Sequence, residues 1–83
     1  MISEQTKSIA ERAKSIYSER LQRGLEARHR GEYVAIEPDS GEYYVADSFG
    51  HAVMTARTAY PDRISFVIRI GHSAAMHLAG MAN

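Results

Sequence analysis

The sequence predicts an α+β fold, built from a long N-terminal amphipathic helix and a small, mostly antiparallel sheet that carries one crossover helix. Apolar residues recur at three-, four- and seven-residue steps in the first 30 residues, as on one face of a helix. After Gly31, strand-forming segments alternate with turn residues and one further helical segment. The 83 residues, of which 45% are hydrophobic and 24% charged, fit one domain, so we expect residues 1–83 to fold as a unit.

The long helix is predicted from Ser3 to about Arg30, because this stretch lacks proline and carries an apolar stripe. Ser3 is placed to cap the helix, and Gly31 is placed to end it after a basic last turn. Gly24 is the internal weak point, since glycine disfavours a helix. The stripe consists of Ile2, Ile9, Ala13, Ile16, Tyr17, Leu21 and Leu25.

A β-hairpin is predicted next, with strands at residues 32–37 and 42–46. Between them, Pro38-Asp39-Ser40-Gly41 supplies the residue types that turns require, including a glycine for the left-handed conformation. The triplet Asp39-Ser40-Gly41 also occurs in aspartic proteases. Those enzymes need two buried carboxylates that share a proton, whereas a hairpin tip leaves Asp39 in solvent. We therefore interpret the triplet as a turn.

A second, shorter helix is predicted after the hairpin. Asp47-Ser48 has the residue types of a helix cap, and apolar residues then recur at helical spacing from Phe49 to Tyr60. Pro61 ends this run.

Two strands are predicted in the remaining chain. Residues 64–70 alternate strictly, with four large apolar side chains on one face and Ser65, Val67 and Arg69 on the other. Residues 74–79 fit either a strand or two turns of helix. We favour a strand that returns from a turn at Gly71-His72-Ser73.

The sequence predicts neither a catalytic site nor a metal or cofactor site. The absence of cysteine excludes a disulfide framework, a thiol nucleophile and a cysteine-ligated zinc site. Of the four histidines, only His72 and His77 are close in sequence, and their spacing points them apart on a strand or a helix. The glycines are scattered, so no phosphate-binding loop is formed. We predict that the protein is not an enzyme.

The sequence contains no signal for a membrane. No apolar run approaches the roughly 20 residues of a membrane span. The first residues lack the basic start and apolar stretch of a secretory signal. With the absence of cysteine, this predicts a soluble cytoplasmic protein.

Charge is divided unequally along the chain. Ten Lys and Arg balance ten Asp and Glu overall, but residues 1–31 hold seven basic and four acidic residues, against three and six in residues 32–83. A predicted basic binding patch at the end of the long helix consists of Arg20, Arg23, Arg28 and Arg30. Arginine makes bidentate contacts with carboxylate and phosphate groups. The other interpretation is that these cations favour a helix C-terminus and keep that face solvated.

The length of the helix predicts a homodimer. A helix of about 27 residues is about 40 Å long, whereas the other ~50 residues form a body about 25 Å across. Either the helix bends at Gly24, or part of the apolar stripe is left uncovered and packs on another chain. We predict a homodimer. The predicted interface residues are Ile9, Ile16, Tyr17 and Leu21.

Several segments carry a resemblance by their order and spacing. They are Glu11-Arg12-Ala13 with Ile16-Tyr17, Gly31-Glu32-Tyr33-Val34-Ala35-Ile36-Glu37, Ser40-Gly41-Glu42-Tyr43, Tyr60-Pro61 and Arg69-Ile70-Gly71. In these segments the chain resembles a widespread set of short bacterial proteins of unknown function. The resemblance implies no catalytic residues and suggests a protein partner encoded nearby. A second likeness, to HicB-type antitoxin domains, is confined to residues 33–60.

These observations predict a non-catalytic protein-interaction or regulatory module that assembles through its long helix and a sheet edge. The alternative is a nucleic-acid-binding regulator that places the basic end of the helix against phosphates.

Overall fold

The computed structural model describes residues 4–72 and 76–79, and there it has the predicted α+β fold. A helical N-terminal segment is followed by a four-stranded antiparallel sheet, with one helix between the second and third strands. The elements are α1 (Glu4–Ile16), a π turn (Tyr17–Leu21), α2 (Gln22–Arg28), β1 (Tyr33–Glu37), β2 (Glu42–Ala46), α3 (Phe49–Ala59), β3 (Ser65–Arg69) and β4 (Met76–Ala79).

The strands lie in the order β2-β1-β3-β4, so β2 and β4 form the two edges of the sheet. All neighbouring pairs are antiparallel, and Val34 of β1 faces Val45 of β2 and Ile68 of β3. Both faces of the sheet are covered. The α1–α2 segment packs on one face, and α3 packs on the other.

Two hydrophobic clusters fill the space between the sheet and its helices. The first, which we call the helix-side cluster, consists of Ala13, Tyr17, Leu25, Val34, Ile36, Phe66, Ile68 and Ile70. The second joins α3 to the other face through Ala35, Ala52, Ala56 and Val67. Three of its four members are alanine, which allows the α3 backbone to approach the sheet closely.

The helical segment is interrupted by the π turn rather than bent at Gly24. Along this segment, Ile9, Ala13, Tyr17, Leu21 and Leu25 are spaced four residues apart. Four residues of an α-helix rotate by more than one turn, so such a stripe drifts by about 40° per step. The wider π turn opposes this drift and keeps Leu25 against the sheet.

The helix ends at Arg28, slightly before the predicted boundary. His29 leaves the helical conformation, Gly31 has a φ of 92°, and the Gly31 N–H donates to the Ile70 carbonyl. These features turn the chain directly into β1. The predicted cap, Ser3, lies outside the described residues.

The apolar stripe of the helix is covered by the chain's own sheet. Ile9, Tyr17 and Leu25 are each 8% exposed, and Ile16 and Leu21 are partly buried against the helix-side cluster. For the described residues, the prediction of an uncovered stripe is therefore wrong.

The stripe is covered because its described part begins at Ile9 rather than at the first residue of α1. The exposed residues Glu4, Lys7 and Ser8 occupy the start of α1, so the described stripe runs from Ile9 to Leu25. That distance is about 24 Å of helix. It matches the body of about 25 Å. In the extra length of the helix, the described side chains Glu4, Lys7 and Ser8 face solvent.

The predicted turn between β1 and β2 is confirmed, and the buried Glu37 organises it. The Glu37 carboxylate accepts hydrogen bonds from the N–H groups of Asp39 at 3.0 Å and Ser40 at 2.8 Å, and from Arg63 Nη1 at 3.1 Å. Asp39 is exposed and pairs with Arg12, whose Nη2 lies 2.6 Å from Oδ1. The Asp-Ser-Gly triplet is therefore part of a turn.

The predicted second helix and both later strands are also confirmed. The Ser48 hydroxyl caps α3 by accepting a hydrogen bond from the His51 N–H at 3.2 Å. Strand β3 is covered on both faces, since Phe66 and Val67 belong to different clusters. The returning strand is present as β4, while residues 73–75 of the predicted turn and strand lie outside the description. Among the described residues, no helix is both long and apolar enough to span a membrane.

Candidate functional site

A cleft of about 500 Å³ lies between the π turn and the end of β3. Its lining includes Lys14, Tyr17, Gln22, Glu26, Gly71 and His72. Because it combines an interrupted helix with polar side chains, this cleft is the first candidate for a site.

Three polar side chains of the cleft, those of Tyr17, Gln22 and Glu26, are bonded to one another. Tyr17 Oη donates to Glu26 Oε2 at 3.1 Å, Gln22 Nε2 donates to the same oxygen at 3.0 Å, and Arg30 Nη2 lies 3.6 Å from Glu26 Oε1. The Tyr17 oxygen also accepts from the Gly71 N–H. This cluster fastens the helix to the turn that follows β3.

The electrostatics of the cluster also favour a structural role. Burial, followed by the Glu26 carboxylate, raises the pKa of Tyr17 above its ordinary value, although the Gly71 N–H opposes this. The phenol therefore stays protonated at neutral pH. Glu26 is already engaged by three side chains, so neither group is set up as a free base.

A second depression, which we call the basic groove, has a volume of about 220 Å³ and lies between α2 and the edge strand β2. Its lining includes Arg20, Gly24, Arg28, Tyr43 and Val45. No carboxylate is among the described residues that line it, and neither arginine forms an ion pair with another described residue.

A third depression, which we call the apolar groove, has a volume of about 500 Å³ and lies on the α3 side of β2. Tyr44, Met54, Thr55 and Thr58 contribute to its lining, and Met54 is 66% exposed. The hydroxyls of Thr55 and Thr58 donate to carbonyls of their own helix at 2.9 and 2.8 Å. Both hydroxyl protons are thus used within α3, and the lining of the groove is mainly apolar.

The two grooves lie on opposite sides of β2 because side chains alternate along a strand. Tyr43 and Val45 project to the side of the α1–α2 segment, and Tyr44 projects to the side of α3. The strand pairs with β1 along one edge, and its other edge has no pairing strand among the described residues. Edge strands carry backbone N–H and C=O groups that can bind another strand.

The four arginines of the predicted basic patch do not share one surface in the structure. Arg20 and Arg28 line the basic groove, and Arg23 is exposed on α2. Arg30 is turned toward Glu26, and its side chain covers Gly71, where an added Cβ would lie 2.9 Å from the arginine Cγ.

The predicted interface residues Ile9, Ile16, Tyr17 and Leu21 lie on the side of the helix that faces the sheet. Sequence reasoning missed Tyr43, Tyr44 and Met54 as surface residues of the grooves. For the two tyrosines the signal was the predicted hairpin, which identified β2 as a strand but not as an edge. Met54 lies in α3, which was predicted only as a helix.

Within the described residues, no three His, Cys, Asp or Glu side chains are grouped so that they could hold a metal ion. Comparisons of the chain with protein-family models, with curated proteins and with solved structures found no match. The resemblances noted from the sequence therefore stay predictions.

Proposed function

We propose that this chain is a non-catalytic, cytoplasmic protein-interaction module that binds its partner along the edge strand β2. One observation supports this proposal above the others. Helices cover both faces of the sheet, whereas β2 lies at an edge between the basic and apolar grooves.

An edge strand and two flanking grooves have complementary roles in binding. The backbone groups of the edge form hydrogen bonds with an added strand, and grooves on either side select its side chains. The partner is a second copy, as the helix length predicted, or a different protein such as one encoded nearby.

Site-specific photocrosslinking tests the proposal. A photoreactive phenylalanine analogue replaces Tyr43 in the full chain, which is then irradiated in an extract of the producing organism. The same analogue at Arg57, an exposed residue of α3 outside the groove linings, serves as the control. We expect a defined crosslinked partner from position 43 and none from position 57.

A Gly24→Leu variant tests whether the partner occupies the basic groove. Gly24 lines the basic groove, and a Cβ placed there meets no other atom within 4 Å, so the larger residue fills the groove without a clash at Cβ. Crosslinking from position 43 should then decrease. Equal crosslinking from positions 43 and 57 would refute the proposal.

Self-association is tested separately by light scattering at micromolar concentration. Because the described apolar stripe packs on the chain's own sheet, it gives no reason to expect a dimer. Two copies would instead pair through their exposed β2 edges. A stable dimer identifies the second copy as the partner, and a monomer requires a different protein.

Nucleic-acid binding is the second candidate, favoured by the exposure of Arg20, Arg23 and Arg28, which form no ion pairs with described residues. It predicts a gel shift at low salt that weakens steeply as salt is added. A triple substitution of Arg20, Arg23 and Arg28 by alanine should abolish the shift. Absence of any shift at low salt eliminates this candidate.

A further inference from the structure

We propose that the β2 edge binds an extended peptide in which acidic and aliphatic residues alternate. This inference rests on the proposed function and specifies the chemistry of the partner. It follows from the different linings of the two grooves that flank a single strand.

Alternation is required by strand geometry. A strand that pairs with β2 continues the sheet, so its successive side chains point to opposite faces. Those on the side of α2 enter the basic groove beside Tyr43 and Val45. Those on the side of α3 enter the apolar groove beside Tyr44 and Met54.

Charge selects acidic residues for the first set. Arg20 and Arg28 both line the basic groove, and no described residue in that lining is acidic. Neither guanidinium has an ionic partner among the described residues that binding would displace. A carboxylate can form bidentate hydrogen bonds with an arginine. A basic side chain in the same place would be repelled.

Burial of apolar surface selects aliphatic residues for the second set. Met54 is 66% exposed, and the hydroxyls of Thr55 and Thr58 are bonded within α3. An aliphatic side chain would therefore remove apolar surface from water without leaving either hydroxyl proton unpaired.

A second copy of this chain does not meet both requirements. Antiparallel pairing of two β2 strands about a two-fold axis would place the two basic grooves beside each other, with like charges adjacent. It would also present Tyr43 and Val45 of the other copy to Arg20 and Arg28, rather than carboxylates. We therefore assign the edge to a different, acidic strand.

Synthetic octapeptides test this proposal with the full chain. The probe alternates glutamate and valine. One control has the same composition in two blocks, and the other alternates lysine and valine. Fluorescence anisotropy measures affinity, and amide chemical shifts locate the bound peptide. We expect the alternating acidic peptide to bind at least about tenfold more tightly than either control, with the largest shifts at residues 42–46.

Charge reversal provides the matched comparison. The Arg20→Glu/Arg28→Glu variant should lose about tenfold in affinity for the acidic peptide and gain binding of the lysine–valine peptide. The Lys7→Glu/Arg57→Glu variant changes the net charge equally at exposed residues outside both groove linings, and it should keep its affinity within about twofold.

Equal binding of the alternating and block peptides would overturn the proposal, as would shifts centred away from β2 or a dimer that the acidic peptide does not dissociate. The outcome also separates the inference from the proposed function. A partner crosslinked at position 43 without binding of the acidic peptide refutes the peptide chemistry alone. Failure of both experiments refutes the interaction surface itself.

Discussion

At the scale of single residues, Glu37 couples the hairpin turn to the rest of the fold. Its carboxylate is 1% exposed and accepts hydrogen bonds from Asp39, Ser40 and Arg63. The sequence identified the turn from its residue types, but the strand position of Glu37 gave no reason to expect a buried charge. The third hydrogen bond to its carboxylate comes from Arg63, which lies 26 residues away in the sequence.

Replacement of Glu37 by glutamine should destabilise the fold. Glutamine keeps the shape but replaces one acceptor oxygen by a donor, which then faces donor groups, so we expect a loss of about 2 kcal/mol in the free energy of unfolding. Urea titration measures this loss. Glu19→Gln, at an exposed residue, should change the unfolding free energy by less than about 0.5 kcal/mol. Equal effects of the two substitutions would contradict this role of Glu37.

The surroundings of Glu37 predict that the stability of the fold depends on pH. Burial alone would raise the pKa of Glu37, but hydrogen bonds from Ser40, Asp39 and Arg63 outweigh it and hold the pKa below its ordinary value. The ionised carboxylate therefore stabilises the fold above the unfolded pKa of about 4.3, and this contribution is lost as the pH falls through the lower folded pKa. Between about pH 6 and pH 3, the native chain should lose more stability than Glu37→Gln.

Two glycines offer a matched pair of alanine substitutions. Gly71 has a φ of 84°, and a Cβ there would lie 2.9 Å from Arg30 Cγ, so Gly71→Ala should cost about 1–2 kcal/mol. Gly24 lies within α2 with open space around it, so Gly24→Ala should stabilise the fold by up to about 1 kcal/mol. Thermal unfolding compares both variants. A Gly71→Ala variant as stable as the unchanged chain would show that the backbone at Gly71 is not restrictive, and destabilisation by Gly24→Ala would contradict the prediction for α2.

At the scale of elements, local signals predicted the hairpin, α3 and β3 because each is encoded by neighbouring residues. The cap at Ser48, for example, requires only Ser48 and the N–H of His51. The π turn was not predicted, although the four-residue spacing of the stripe was visible. Its formation depends on the sheet against which Leu25 must pack, and that sheet is formed by distant segments.

The cap of α3 yields a prediction at this scale. Ser48→Ala removes the acceptor of the His51 N–H and should lower the free energy of unfolding by about 1 kcal/mol. Ser48→Asp retains an acceptor and should lose much less. Chemical denaturation followed by circular dichroism measures both variants. A loss as large for aspartate as for alanine would show that Ser48 acts in another way.

At the scale of the whole molecule, the sequence could not predict the order of the strands in the sheet, and this order forms the candidate site. Arg20 and Arg28 were predicted to bind, but their position beside Tyr43 and Val45 depends on β2 being an edge. Strand order is a property of long-range packing rather than of local pattern. Among the described residues, the predicted mismatch between helix and body is wrong, because the apolar stripe from Ile9 to Leu25 is shorter than the whole helix.

Hydrogen exchange of the β2 amides, measured by NMR in the free chain and with the acidic alternating peptide, tests the edge-binding account most directly. In the free chain, alternate amides of residues 42–46 should exchange rapidly, because only one edge of β2 pairs with β1. With the peptide bound, these rapid amides should become slow. Uniformly slow exchange in the free chain, or peptide binding that leaves the rapid amides unchanged, would contradict the account.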